Sequence, residues 1–214
     1  MTIPFPTSGL YAVTDSLRWP GSNLLTAVRG AIEGGACVIQ YREKRANPDI
    51  GLAKKMLELC HDNEVPLVIN DHVDLALRIG ADGVHLGRND EAVIHARRRI
   101  GERAIVGVSC YDSVSKAARA EAEGASYVAF GSFFRSRTKP DASPVDLETL
   151  ERVSVAIPVV AIGGITHENG KTLIDSGADL LAVVSGIFGQ PDPAQAASSY
   201  RELFEARKSV RNPD

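Results

Sequence analysis

The sequence predicts an α/β chain whose eight parallel strands alternate with helices and close into one barrel, and three observations predict it. A short pattern recurs four times: Gly35-Ala36-Cys37-Val38-Ile39-Gln40, Gly80-Ala81-Asp82-Gly83-Val84-His85, Gly124-Ala125-Ser126-Tyr127-Val128-Ala129 and Gly177-Ala178-Asp179-Leu180-Leu181-Ala182. In each copy a helix-like stretch stops at glycine and a short apolar run rich in β-branched residues follows, as where a helix end feeds a buried strand. The copies start at 35, 80, 124 and 177, so 44 to 53 residues separate them, room for two strand-helix units apiece. Four doublets make eight units, the number that closes a parallel sheet into a single (β/α)8 TIM barrel.

Taken in order, strands are expected over residues 9–14, 37–41, 66–70, 83–86, 105–109, 127–131, 159–162 and 180–184. The segments between them carry helical periodicity, and several show start signals. Asn23, Asp112 and Asp146 each precede an amphipathic run as N-cap candidates, and Pro48 suits the first turn of the second helix. The last helix is expected over 193–207, with 208–214 as a frayed tail. No low-complexity linker divides the chain, so residues 1–214 read as one domain. The longest stretch without regular pattern, 132–145, follows the sixth strand and reads either as a functional lid or as a disordered excursion.

Composition narrows the class of function. With 214 residues, 44% hydrophobic and 24% charged, the chain can bury a large core. A net charge of −3 offers no general attraction to nucleic acid or to an anionic membrane. No apolar run approaches the roughly 20 residues that span a bilayer. The first residues, Met1-Thr2-Ile3-Pro4-Phe5-Pro6, lack the basic start and apolar core of a signal peptide, so the expected location is cytoplasmic. Cys37, Cys60 and Cys110 are odd in number and widely spaced, and are expected as buried free thiols.

A barrel of this kind works at the carboxyl ends of its strands, so those ends can be searched for reactive groups. Strand two ends in Gln40-Tyr41-Arg42-Glu43-Lys44, and alternation puts Gln40, Arg42 and Lys44 on one side. Two cations leaving one strand together make an anion site, unless Arg42 simply pairs with Glu43 in a solvated loop. Strand three ends in Asn70-Asp71, and strand four in His85-Leu86-Gly87-Arg88-Asn89-Asp90. Asp71 and Asp90 leave neighbouring strands at one rim, where paired carboxylates beside cations can hold Mg2+ and a diphosphate; each also reads as a helix N-cap, and capping does not exclude binding. Strand seven ends in Gly163-Gly164 and strand eight in Ser185-Gly186, where bare backbone N–H groups commonly hold a phosphomonoester; a tight turn is the plainer reading. Two anion sites at one rim suit a transferase joining two phosphorylated substrates. The five histidines form no metal triad by spacing: His85 is expected to pack at its strand end or support a neighbour, and His61, His72, His95 and His167 to sit on helix surfaces or starts. Ser109 has no base beside it in sequence and suits a hydrogen-bond donor better than a nucleophile.

These residues, with Gly107-Val108-Ser109, Thr138-Lys139, Ala161-Ile162-Gly163-Gly164-Ile165 and Val183-Val184-Ser185, resemble the thiamine-phosphate synthase family over about residues 9–204. The resemblance implies that 4-amino-2-methyl-5-(diphosphooxymethyl)pyrimidine is joined to a thiazole phosphate, its carboxylated form included, to give thiamine phosphate with release of diphosphate and any CO2. It implies diphosphate and pyrimidine contacts at Gln40, Tyr41, Arg42, Glu43, Lys44, Asn70, Ser109 and Lys139, and Mg2+ ligands at Asp71 and Asp90. It places thiazole phosphate contacts at Ser136, Arg137, Thr138, Gly164, Val184 and Ser185. Arg42, Lys44, Ser109 and Lys139 would carry the catalytic work. The partners implied are small molecules, with no nucleic acid or membrane and with a homo-oligomer possible. Arg88, Arg135 and Ser136 depart from the usual family residues. The alternatives are a thiazole tautomerase of the same family and a non-catalytic thiamine-phosphate-sensing protein.

Overall fold

The computed structural model describes residues 2–43, 48–87, 92–135 and 144–211, the last five of these by backbone alone. Eight strands run parallel and close in sequence order: β1 (Gly9–Val13), β2 (Ala36–Tyr41), β3 (Leu67–Asn70), β4 (Gly83–Leu86), β5 (Ile105–Tyr111), β6 (Tyr127–Phe130), β7 (Val159–Ile162) and β8 (Leu180–Val183), with β8 paired to β1. The helices that return the chain are α1 (Asn23–Glu33), α2 (Ile50–His61), α3 (Val73–Ile79), α4 (Val93–Ile100), α5 (Val114–Ala122), α6 (Glu148–Glu151) and α7 (His167–Asp175). A short α8 (Ser185–Phe188) and the long α9 (Pro193–Arg211) end the chain. This is the expected (β/α)8 TIM barrel.

The recurring glycines end helices as the repeat pattern demands. Gly35, Gly80, Gly124 and Gly177 all have positive φ, between 75° and 113°, a turn that glycine makes without a Cβ clash. The third position of each repeat then ties its strand to the strand before it. Asp82 Oδ2 accepts from the Leu67 N–H at 2.8 Å, Ser126 Oγ from the Val106 N–H at 3.0 Å, and Asp179 Oδ2 from the Val159 N–H at 2.9 Å. In the first copy the Cys37 thiol instead faces the Leu10 carbonyl at 3.3 Å.

Strand alternation divides the apolar residues into two cores. Leu10, Ala12, Ile39, Tyr41, Leu67 and Ile69 face the helices. Tyr11, Val13, Val38, Val68, Ile105, Tyr127, Ala129, Val160, Leu180 and Ala182 fill the barrel interior. The N-terminal segment closes the floor: the Ile3 N–H donates to Asp82 Oδ1 at 2.8 Å, and the Phe5 ring stacks on Tyr127 at 4.1 Å between centroids. Gly107 leaves space for that tyrosine, because a Cβ there would fall within its ring.

Several local expectations change. Ser22 and Ser113, not Asn23 and Asp112, occupy the N-cap positions of α1 and α5, and the Ser113 hydroxyl accepts from the Lys116 N–H. Asp49 caps α2, which leaves Pro48 outside the helix. Asp71 precedes the His72 cap of α3 and does not cap the helix itself. Asp146 stands before a single turn, α6, whose cap position is Leu147. The last helix continues to Arg211, past the expected end at 207. The three cysteines are free; burial pushes the Cys37 thiol up to about 12 and the Cys110 thiol to about 11, and Cys60 higher still. No helix among the described residues is long and apolar enough to cross a membrane.

Candidate active site

The carboxyl ends of the strands open into a cavity of about 420 Å³. Its walls collect side chains from every strand of the barrel.

On β2, alternation turns Gln40 and Arg42 into this cavity, and the Arg42 N–H donates to Thr14 Oγ1 at 2.9 Å, fixing where the strand leaves the barrel. The same alternation turns Tyr41 and Glu43 outward. Tyr41 is buried against the helices, and the Glu43 carboxylate accepts from the Ser16 hydroxyl at 3.1 Å and from the Tyr41 hydroxyl at 3.5 Å. The structure therefore does not bring Tyr41 and Glu43 to the cavity, although the sequence reading set them beside the substrate. The physical reason is the two-residue period of the strand, which carries past its last hydrogen bond.

Asn70 and Asp71 line the cavity at the end of β3. The Asn70 amide donates to Asp71 Oδ2 at 2.6 Å, and the Asp71 N–H donates to the His85 carbonyl at 2.9 Å. Asp71 has φ +63°, a left-handed turn that aspartate tolerates better than most residues and that swings its carboxylate onto the rim. Among the described residues no group of three or more His, Cys, Asp or Glu side chains is placed to hold a metal ion. Asp71 supplies one hard oxygen donor at the mouth, which is the ligand chemistry that Mg2+ takes.

From β5 come Ser109 and Tyr111, two positions apart and both lining the cavity, with a register shift against β6 between them. The Lys116 ammonium donates to the Ser109 carbonyl at 2.7 Å and lies 5.2 Å from the Tyr111 ring centroid. Across the barrel, Gly163 and Gly164 follow β7 with φ +107° and +64°. A Cβ on Gly163 would strike Ser132, and one on Gly164 the carbonyls of Phe134 and Arg135, so only glycine admits the segment after β6 so close. Val184 and Ser185 complete this side, Val184 preceding the turn of α8.

Beneath the mouth runs a row of buried polar groups. Gln40 Nε2 donates to the Tyr11 hydroxyl at 2.8 Å, which lies 2.7 Å from the Tyr127 hydroxyl. The Tyr127 hydroxyl lies 2.8 Å from His85 Nδ1, and His85 Nε2 lies 2.8 Å from Ser109 Oγ. Burial holds both phenols protonated, pushing Tyr11 and Tyr127 well above the ordinary tyrosine range. Of the expected site residues, Gln40, Arg42, Asn70, Asp71, Ser109, Gly164, Val184 and Ser185 share this one cavity. Lys44, Asp90, Ser136, Arg137, Thr138 and Lys139 lie outside the described residues, as does most of the expected 132–145 lid. Sequence reasoning missed Tyr11, Tyr111, Tyr127 and Ser132. The first and third sit at inward positions of predicted strands, where a large polar ring was the available signal.

Barrel and rim define a class: a (β/α)8-barrel enzyme with a cavity of small-molecule size at the carboxyl ends of its strands. The family model described as thiamine monophosphate synthase matches residues 10–187. The thiamine-phosphate synthase of Methylococcus capsulatus is 50% identical, over 99% of this chain and 96% of that protein. A solved structure of thiamine phosphate pyrophosphorylase from Pyrococcus furiosus superposes with a TM-score of 0.84 at 36% identity, covering 94% of this chain and 96% of that one. The 3-hexulose-6-phosphate synthase of Salmonella typhimurium, at 19% identity and a TM-score of 0.73 over 92% and 99% of the two chains, shares the fold alone. The chain belongs to the thiamine monophosphate synthase family, and it is a transferase.

Proposed function

We propose that this transferase condenses 4-amino-2-methyl-5-(diphosphooxymethyl)pyrimidine with a thiazole phosphate, or its carboxylated form, to give thiamine phosphate and diphosphate, with CO2 also released from the carboxylated form, in the presence of Mg2+. The observation that carries the reading is the division of the mouth. Arg42, Asn70, Asp71 and Ser109 come from the ends of β2, β3 and β5, while Gly163, Gly164 and Ser185 follow β7 and β8. A diphosphate suits the first group, where a guanidinium can fork two phosphate oxygens. A phosphomonoester suits the second, where exposed backbone N–H groups can approach it closely.

Asp71 and Asp90 would hold the metal, which when bound neutralises charge on the departing diphosphate. Arg42, with Lys44 and Lys139, stabilises the same leaving group. The aminopyrimidine donates electrons toward its exocyclic CH2, so the C–O bond can break before the thiazole nitrogen attacks. Such a path needs no enzymic nucleophile; it needs preorganised charge and shelter from water. The enclosed floor of Tyr11, Ala129, Val160 and Ala182 offers that shelter.

One assay tests the reading. Both phosphorylated substrates are supplied with Mg2+ or with excess EDTA, and thiamine phosphate and diphosphate are followed. Equimolar appearance of both products only with the metal is expected. Thiazole isomerisation alone would select a tautomerase, and binding without turnover would select a sensor.

A further inference from the structure

We propose that Tyr11, Tyr127 and His85 form a one-way hydrogen-bond chain from Gln40 to Ser109 that presents the Ser109 hydroxyl to the cavity as a donor. Each link is of ordinary hydrogen-bond length, 2.7 or 2.8 Å.

The direction follows from counting protons. Gln40 donates from Nε2, so the Tyr11 oxygen is an acceptor at that link. Tyr11 carries one proton of its own, and the partner at hand for it among the described residues is the Tyr127 oxygen. The reverse arrangement would give the Tyr11 oxygen two incoming protons and strand its own in a fully buried place, which buried donors avoid. Tyr127, having accepted, passes its proton to His85 Nδ1. A neutral imidazole that accepts at Nδ1 carries its proton at Nε2, and there it donates to Ser109 Oγ. The Ser109 proton is then directed away from His85 and into the cavity that Ser109 lines. Donors polarised in series strengthen one another, so the last hydroxyl is a better donor than an isolated serine.

The packing keeps the chain in place. Phe5 stacks on Tyr127 from the floor, with only 7° between ring planes, and Gly107 leaves the space that the Tyr127 ring fills. Tyr11, Tyr127 and His85 are positioning residues acting through Ser109. The inference deepens the reading proposed above: Ser109 would recognise a lone-pair acceptor on the pyrimidine substrate, not an N–H group.

The tautomer of His85 is the direct test and needs no substrate. With histidine labelled in 15N in the whole protein at about pH 8, where imidazole is neutral, a long-range 1H–15N correlation is expected to show His85 protonated at Nε2. The His85→Gln variant identifies the signal among the five histidines. Protonation at Nδ1, or a mixture of both tautomers, would overturn the proposal. In Tyr127→Phe, which keeps the ring and its stack, the tautomer is expected to become mixed. That variant should lower kcat roughly tenfold, the worth of one hydrogen bond in the transition state, with KM little changed. Combined with Ser109→Ala it should cost nothing further; independent, multiplying losses would overturn the chain as the route of the effect. A wild-type enzyme inactive on the two proposed substrates would sink that reading while the tautomer measurement still judged this one.

Discussion

Arg42 shows how much a single position on a strand decides. Its neighbours Tyr41 and Glu43 are similarly polar in part, yet alternation buries them against hydroxyls and helices and leaves Arg42 alone of the three lining the cavity. The guanidinium is thus delivered by strand period, and the Thr14 hydroxyl fixes the backbone that carries it. Arg42→Ala is expected to lower kcat by about 10²-fold, the usual size for losing one preorganised group that stabilises developing charge. Arg42→Lys should recover only part of this, since an ammonium keeps the charge and loses the fork. Steady-state kinetics with saturating Mg2+ checks both; near wild-type turnover in the alanine variant would remove Arg42 from the role proposed for it.

The elements are joined by one recurring device. The third residue of each Gly-Ala repeat enters its strand and reaches sideways to the backbone of the preceding one, so helix stop, strand start and lateral clamp lie within three residues. The clamps differ in strength by chemistry. Asp82 is 1% exposed and accepts from the Ile3 and Leu67 N–H groups and faces His61 Nε2 at 3.0 Å, tying the N-terminal segment, α2, β3 and β4 together. Asp179 holds one strand N–H from a half-buried place, and Ser126 holds one with a neutral oxygen. Urea unfolding should therefore rank the alanine variants: about 3 kcal/mol lost for Asp82→Ala, about 1.5 for Asp179→Ala and about 1 for Ser126→Ala. Equal losses at all three would show that burial and charge do not set the strength of the clamp.

Over the whole molecule a continuous column links floor to mouth: Phe5 on Tyr127, Tyr127 to His85, His85 to Ser109. A segment at the amino end of the barrel thereby supports a hydroxyl that lines the cavity at the carboxyl end. Phe5→Ala is expected to cost about 2 kcal/mol of stability through lost apolar burial and stacking. It should also lower kcat several-fold, although the residue lies at the opposite end of the barrel from the cavity mouth. Thermal unfolding and kinetics on the same sample check the two effects, and a loss of stability with kcat intact would confine Phe5 to closing the floor.

The sequence by itself determined the barrel and the strand ends that carry Arg42, Asn70, Asp71, Ser109, Gly163 and Ser185, because helix-stop glycines and apolar runs are local signals repeated at a regular interval. Caps were less legible: Ser22 and Ser113 each lie one residue from Asn23 and Asp112, the positions that the pattern suggested, since a cap depends on backbone angles that no residue type dictates alone. Only the tertiary structure decided that Tyr11, Tyr127 and His85 meet Gln40 and Ser109. Tyr11 and Tyr127 are 116 positions apart in the chain, and what brings their hydroxyls to 2.7 Å is the closure and register of the barrel, a property of all eight strands together.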